Sequence, residues 1–119
     1  MRMLGYLKKP YKCNKKDTIY KIVLHKTTRE VYVYFYTSLD AVISSFDGCY
    51  SGGESALEDA LEDWQSEIDE RGWIQIDDPM PYCQHDALLP IRVKGRDTNT
   101  PQWDKFEIYQ DGEWKDYKP

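Results

Sequence analysis

Residues 18–25 read TIYKIVLH and residues 30–37 read EVYVYFYT, and these two runs decide the fold. Both are rich in β-branched and aromatic residues, which favour strands. The four residues 26–29 connect them, so the pattern predicts a β-hairpin. A turn centred on residues 27–28 gives the hairpin one wholly apolar side. A slip of one residue would mix the two sides, so the pattern favours this register. The predicted apolar pairs are Leu24 with Val31, Ile22 with Val33 and Tyr20 with Phe35.

The other side of this hairpin carries a stripe of three tyrosines: Tyr32, Tyr34 and Tyr36. Stacked tyrosines with polar tips suit a partly wet interface with another protein. The same rings could equally cover a second layer of this molecule, and the sequence leaves both interpretations open.

Two helices are expected after the hairpin. Residues 38–46 predict a short helix, because their apolar residues recur at helical spacing. Residues 55–71 predict a longer helix with one apolar stripe and an acidic remainder. The apolar stripe of the longer helix consists of Leu57, Leu61, Trp64 and Ile68.

The rest of the chain predicts further strands. Residues 73–77 alternate as a short strand, and residues 87–93 form another. Asp111-Gly112 is a hairpin turn signal between residues 103–109 and 113–117. We therefore expect an α+β fold, in which an antiparallel or mixed sheet carries two helices, one short and one long, on one face.

The length of 119 residues predicts a single domain over 1–119, with residues 1–17 as a basic, extended N-terminal arm. No apolar run approaches the roughly 20 residues that span a bilayer, and the start has no long apolar stretch. Three cysteines at scattered spacings favour reduced thiols, hence a cytoplasmic location and no membrane partner.

Charge is distributed very unevenly along the chain. The net charge is −5, yet residues 1–29 carry nine Lys and Arg and one acid, whereas residues 47–78 carry eleven acids and one Arg. Such asymmetry bears on partners rather than on fold. A dense acidic surface repels nucleic acid and attracts basic proteins.

We therefore predict that the long helix and the strand end after it bind a basic protein. The candidate partner-binding residues are Glu58, Asp59, Glu62, Asp63, Glu67, Asp69, Glu70, Asp77 and Asp78, together with Tyr32, Tyr34 and Tyr36.

Two alternative functions stay open. Cys83, His85 and Asp86 lie close together in sequence and could serve a small Cys/His-dependent enzyme. The chain lacks the paired ligands that nucleate a zinc site, and no metal or cofactor is expected. The lysines of residues 1–17 could instead serve a nucleic-acid accessory protein.

In size, acidity and α+β layout, the chain resembles the small cytosolic immunity proteins of bacterial toxin systems. The residues that carry this resemblance are the acidic helix from Glu54 to Arg71, together with the absence of any catalytic set. The resemblance implies a non-catalytic inhibitor that binds a basic surface of a cognate toxin domain. The identity of the partner and the oligomeric state stay open.

Overall fold

Strands hold 46% of the residues in the computed structural model, which describes residues 1–119. The expected α+β fold with two helices on one face is wrong, because the chain folds mainly as antiparallel sheet with one short helix. The elements are β1 (Arg2–Lys12), β2 (Thr18–Lys26), β3 (Glu30–Tyr36), β4 (Phe46–Ser51), a 3₁₀ turn (Gly53–Ser55), α1 (Ala56–Gln65), β5 (Ile74–Ile76), β6 (Ile91–Lys94), β7 (Gln102–Gln110) and β8 (Glu113–Tyr117).

The chain divides into two compact units, unit 1 (Met1–Asp77) and unit 2 (Asp78–Pro119). Unit 1 holds a five-stranded sheet in the order β4-β3-β2-β1-β5, and unit 2 holds a three-stranded sheet in the order β6-β7-β8. The single domain expected over residues 1–119 stays a prediction, because compactness does not decide whether two units fold together. Neither unit contains a helical segment with the length and apolar character that a bilayer crossing requires.

The hairpin of β2 and β3 forms, but its register differs from the predicted one by two residues. Leu24 lies opposite Val33 instead of Val31. The turn sits one residue further along than expected, because Thr27 and Glu30 close it through two hydrogen bonds. The Thr27 amide donates to the Glu30 carbonyl at 2.9 Å, and the Glu30 amide donates to the Thr27 hydroxyl at 3.2 Å. A shift of two residues keeps every side chain on its own face, so the predicted apolar side persists.

Residues 1–17, expected as a basic N-terminal arm, mostly form a strand within the sheet. β1 lies between β2 and β5. Its pairing with β2 is interrupted after Tyr6, and the following residues pair with the segment that follows α1. There the Lys8 amide donates to the Glu67 carbonyl and the Asp69 amide donates to the Tyr6 carbonyl, each at 2.8 Å. Main-chain hydrogen bonds thus hold this part of the basic stretch, around Lys8, against the segment after α1.

The short helix expected over residues 38–46 is wrong. Residues 38–45 are irregular, and Phe46 begins β4, which pairs with β3. The ring of Phe46 stacks on Phe35 with the ring centroids 5.1 Å apart, whereas Leu39 is 60% exposed. Of the apolar residues with helical spacing, only Phe46 therefore lies in a regular element. Its pairing with β3 is favoured over the helix that the local spacing predicts.

The long helix expected over residues 55–71 extends only to Gln65. Beyond it, the backbone of residues 67–69 bonds to β1, and those groups cannot also bond within a helix. Ile68, the last member of the predicted apolar stripe, still reaches the core and is 3% exposed. The core of unit 1 comprises Leu7, Ile19, Ile22, Leu24, Val31, Val33, Ala56, Ala60 and Ile68.

The short strand expected over residues 73–77 is present as β5. In unit 2, the strand expected over residues 87–93 is limited to β6. The hairpin of β7 and β8 has the predicted tight turn. Asp111 and Gly112 both adopt positive φ, 56° and 81°, as a type I′ turn requires.

The tight register places two acids opposite each other, and a neighbouring cation compensates each of them. Glu107 lies opposite Asp116. Arg92 of β6 donates to Glu107 at 2.7 Å, and Lys94 donates to Asp116 at 2.7 Å. The Arg92 guanidinium also lies 3.7 Å from the centre of the Trp114 ring. The third strand, β6, therefore removes the like-charge conflict of this hairpin, which the sequence of the hairpin alone does not show.

Replacing Gly5 by alanine should destabilise unit 1. A Cβ atom at Gly5 would lie 2.6 Å from Cδ1 of Ile68 and 2.9 Å from the Trp73 ring. Overpacking of this kind costs about 1–3 kcal/mol of unfolding free energy, which urea denaturation would measure. Gly48→Ala is the matched control, because its Cβ would meet Phe35 at an ordinary 3.7 Å. Equal losses in both variants would contradict the close packing at Gly5.

Replacing Arg92 by methionine should destabilise the chain far more than Lys94→Met. Arg92 and Glu107 have side chains only 9% and 10% exposed, so the substitution leaves a buried carboxylate without its cation. The expected cost is about 3–5 kcal/mol in urea denaturation. Lys94 and Asp116 are 36% and 79% exposed, so solvent screens their pair and Lys94→Met should change the stability little. Similar losses for both variants would contradict this assignment.

Candidate functional site

α1 turns its carboxylates to solvent because its apolar residues all face the sheet. Ala56 and Ala60 are 2% and 0% exposed, and the larger apolar residues of the helix pack against the same core. The positions between them project outward. The carboxylates exposed on α1 are those of Glu58, Asp59, Glu62 and Asp63. With the exposed Glu67 and Glu70 that follow the helix, they form what we call the acidic surface.

The acidic surface forms no ion pair within this molecule. Among residues 1–119, no Lys, Arg or His nitrogen lies within 4.0 Å of a carboxylate oxygen of these six residues. Like charges three or four residues apart on a helix repel one another and lower its stability. The acidic surface therefore keeps a negative potential that a positively charged partner would reduce.

One carboxylate of the acidic surface is fixed by the sheet. The Tyr50 hydroxyl on β4 donates a hydrogen bond of 2.8 Å to Asp63. Burial, this hydrogen bond and the negative charges of Asp63 and Asp59 raise the pKa of Tyr50. Both aspartates thus lie on the side of α1 that faces β4.

Asp69, also predicted to bind a partner, is occupied within the molecule. Its carboxylate accepts hydrogen bonds from the Arg71 guanidinium at 2.7 and 3.1 Å and from the Arg71 amide at 3.0 Å. The Arg71 guanidinium lies 3.7 Å from the centre of the Tyr6 ring. These hydrogen bonds lower the pKa of Asp69. Asp69 therefore stabilises the segment after α1 and is not free for a partner.

Asp77 and Asp78 straddle the boundary between the two units. Asp77 is exposed at the end of unit 1, and its carbonyl accepts a hydrogen bond of 2.7 Å from Nε of Arg2. Asp78 is the first residue of unit 2 and is also exposed. β5 separates Asp77 from α1 along the chain, and we do not count Asp77 or Asp78 in the acidic surface.

The tyrosine stripe lies on the face of β3 opposite the core cluster, and most of it is buried. Tyr34 and Tyr36 are 8% and 0% exposed, so of the three tyrosines only Tyr32 presents its ring at the surface. Tyr32 and Tyr34 stack in parallel with their ring centroids 6.3 Å apart. Nζ of Lys21 lies 5.4 Å from the centre of the Tyr36 ring, and burial lowers the pKa of Lys21.

The lysines of β1 and the following turn are exposed and form no ion pair. They are Lys8, Lys9, Lys12, Lys15 and Lys16, which we call the basic segment. None of their Nζ atoms lies within 4.0 Å of a carboxylate. The basic segment runs close to the end of α1, since the Tyr11 ring packs edge-on against Trp64 with the ring centroids 6.1 Å apart.

The residues of the enzyme alternative occupy different environments. Cys83 is buried, at 6% exposed, whereas His85 is exposed. The other two thiols, Cys13 and Cys49, are exposed, and none of the three cysteines forms a disulfide. Partial desolvation of the Cys49 sulfur and its hydrogen bond to Glu30 raise the pKa of this thiol. Cys49 is therefore protonated at neutral pH. No group of three or more His, Cys, Asp or Glu side chains among residues 1–119 is placed to hold a metal ion.

Sequence reasoning missed β4, and with it the role of Tyr50. The segment 46–51 alternates between half-buried and exposed residues, which is typical of a strand with one covered face. The sequence itself, FDGCYS, shows little of that alternation, and the helical spacing of residues 38–46 concealed the strand.

Comparisons with protein-family models, with curated proteins and with solved structures found no match to this chain.

The pair of Asp69 and Arg71 should make stability depend on pH. Because the folded pKa of Asp69 is depressed, its stabilisation is present above the pKa of an unfolded aspartate, about 4, and is lost as the pH falls through the folded value. Asp69→Asn should therefore be less stable than wild type at neutral pH, and the difference should close in acid. Thermal unfolding across this range measures it. Glu70→Gln is the control and should show no such gap; a gap that persists in acid would contradict the assignment.

Proposed function

We propose that this chain is a non-catalytic protein-binding molecule whose acidic surface binds a basic surface of another protein. The observation that carries the proposal is the exposure of six carboxylates without a cation of the same molecule within 4.0 Å. Complementary charge speeds diffusional encounter and suppresses partners of the wrong sign. An inhibitor of the immunity type is the form of this function that the resemblance implies.

Two aromatic anchors for such a partner are accessible in unit 1, one beside the end of α1 and the other on the opposite face of the sheet. Tyr11 is 47% exposed and packs against Trp64 at the end of α1. Tyr32 is the accessible member of the tyrosine stripe. Aromatic side chains of this kind commonly supply most of the binding energy, whereas charges at the rim set the rate and the specificity.

A second candidate function rests on the basic segment. Its five lysines are exposed and unpaired, and Tyr11 lies among them, which is the composition of a surface that binds nucleic acid. The adjoining acidic surface opposes this function, because phosphates would meet its carboxylates. We therefore place protein binding first.

Reversing two charges of the acidic surface should slow association with the partner without unfolding the chain. Glu58→Lys with Glu62→Lys changes two exposed residues that have no partner in the molecule. Proteins retained from a cell extract by wild type should be basic, should elute with added salt, and should associate about tenfold or more slowly with the variant. Mass spectrometry identifies the retained proteins, and surface plasmon resonance measures the rates.

The matched control places the same charge change elsewhere. Asp104→Lys with Glu113→Lys alters two exposed acids of unit 2, and retention should stay at the wild-type level. Equal binding by wild type and the Glu58/Glu62 variant would contradict the proposal. Retention of an oligonucleotide that depends on Lys8 and Lys12 would favour the second candidate function.

A further inference from the structure

β4 is an edge strand whose outer side has no partner. It stands first in the sheet order β4-β3-β2-β1-β5. No backbone hydrogen bond joins residues 46–51 to any element other than β3. Because strand residues alternate, every second residue of β4 directs its amide and carbonyl groups away from β3. These groups are a ready template for another strand.

β4 also lacks the features by which proteins usually block such an edge. Its sequence, FDGCYS, contains no lysine and no proline, and its register against β3 has no bulge. Its only charged residue is Asp47, which is exposed. The edge is therefore open to strand addition.

Negative charge flanks this edge on both faces of the sheet. On one face, α1 packs against β3 and β4, and Asp63 bonds to Tyr50 of β4. Asp59, one turn earlier, lies on the same side of the helix. On the other face, Asp47 is directed to solvent beside Tyr32 and Tyr34. A strand added here would run between carboxylates that no cation of this chain neutralises.

We infer that the partner adds an extended strand to the outer edge of β4, and that this strand carries Lys or Arg at every second position on the side of α1. The inference rests on the proposed function and deepens it by naming the docking mode. Main-chain hydrogen bonds supply affinity in such additions, and alternate side chains supply specificity. The alternation follows from the strand period of two, since only every second side chain would face Asp59 and Asp63.

A second copy of this chain fits the same edge poorly. Two β4 strands paired around a two-fold axis would bring two α1 helices to the same face, side by side. Their carboxylates would then repel one another. A cationic strand satisfies the unpaired backbone and the uncompensated charge together, whereas a second copy satisfies the backbone alone.

The test uses the full chain and a peptide in which lysine and valine alternate over about six residues, the usual length of a strand. A second peptide has the same sequence but carries N-methyl groups on alternate residues, which removes its hydrogen bonds along one edge and keeps its charge. Fluorescence anisotropy at low salt should show binding that is about tenfold or more weaker for the methylated peptide. Hydrogen exchange should show that the unmodified peptide protects every second amide of residues 46–51.

Two variants of the chain locate the charges that matter. Asp59→Asn with Asp63→Asn removes both β4-facing charges and keeps the shape, and it should weaken the alternating peptide about tenfold or more. Glu67→Gln with Glu70→Gln removes two charges of the acidic surface that lie after the helix, and it should have a smaller effect. A peptide of the same composition with its lysines contiguous should bind more weakly than the alternating one.

The possible negative results distinguish strand addition, charge-driven protein binding and pairing with a second copy. Equal binding of the methylated and unmethylated peptides, still sensitive to salt, would overturn strand addition and leave charge-driven protein binding intact. Failure of the alternating peptide to bind at all would also overturn strand addition, while the extract experiment separately decides the proposed function. A dimer of the chain alone, with the amides of β4 protected, would overturn the choice of occupant in favour of a second copy.

Discussion

Ala56 and Ala60 are the two residues of α1 that are buried against the sheet, at 2% and 0% exposed, and their contact sets the rotation of the helix. Small side chains let a helix approach a sheet closely. With this stripe directed inward, Leu57 and Leu61 complete the core on the same side, and the carboxylates between them are exposed, with Asp63 also bonded to the Tyr50 hydroxyl. The acidic surface is thus a consequence of how the core is packed.

The division of β1 between two partners is the second constraint. β1 pairs with β2 from Arg2 to Tyr6 and again at Tyr11 and Lys12, and between these two stretches Tyr6 and Lys8 bond to residues 67–69. Main-chain hydrogen bonds thereby bring the basic segment beside the end of the acidic surface. No ion pair forms between the two, so their opposite charges are neighbours without direct contact. Both clusters remain accessible from solvent.

The sequence predicts those features that depend on local chemistry. The β2–β3 and β7–β8 hairpins follow from β-branched runs and from the Asp111-Gly112 turn, and the acids of α1 follow from helical periodicity. The failures arise where distant residues compete. The helix ends at Gln65 because β1 captures the next backbone groups, and Phe46 joins a strand because Phe35 and β3 offer it a partner. A short stretch of sequence does not contain the distant residues that compete for it, so its pattern cannot predict the outcome.

Carbodiimide cross-linking decides whether the molecule neutralises its own acidic surface, since the reagent joins lysines to carboxylates only when they are in contact. We expect mass spectrometry of the cross-linked monomer to find a bond between Lys94 and Asp116, whose atoms lie 2.7 Å apart. We expect none between the basic segment and the carboxylates of α1. Abundant cross-links from Lys8 or Lys12 to those carboxylates would show that the molecule neutralises its own charge and does not leave the acidic surface for a partner.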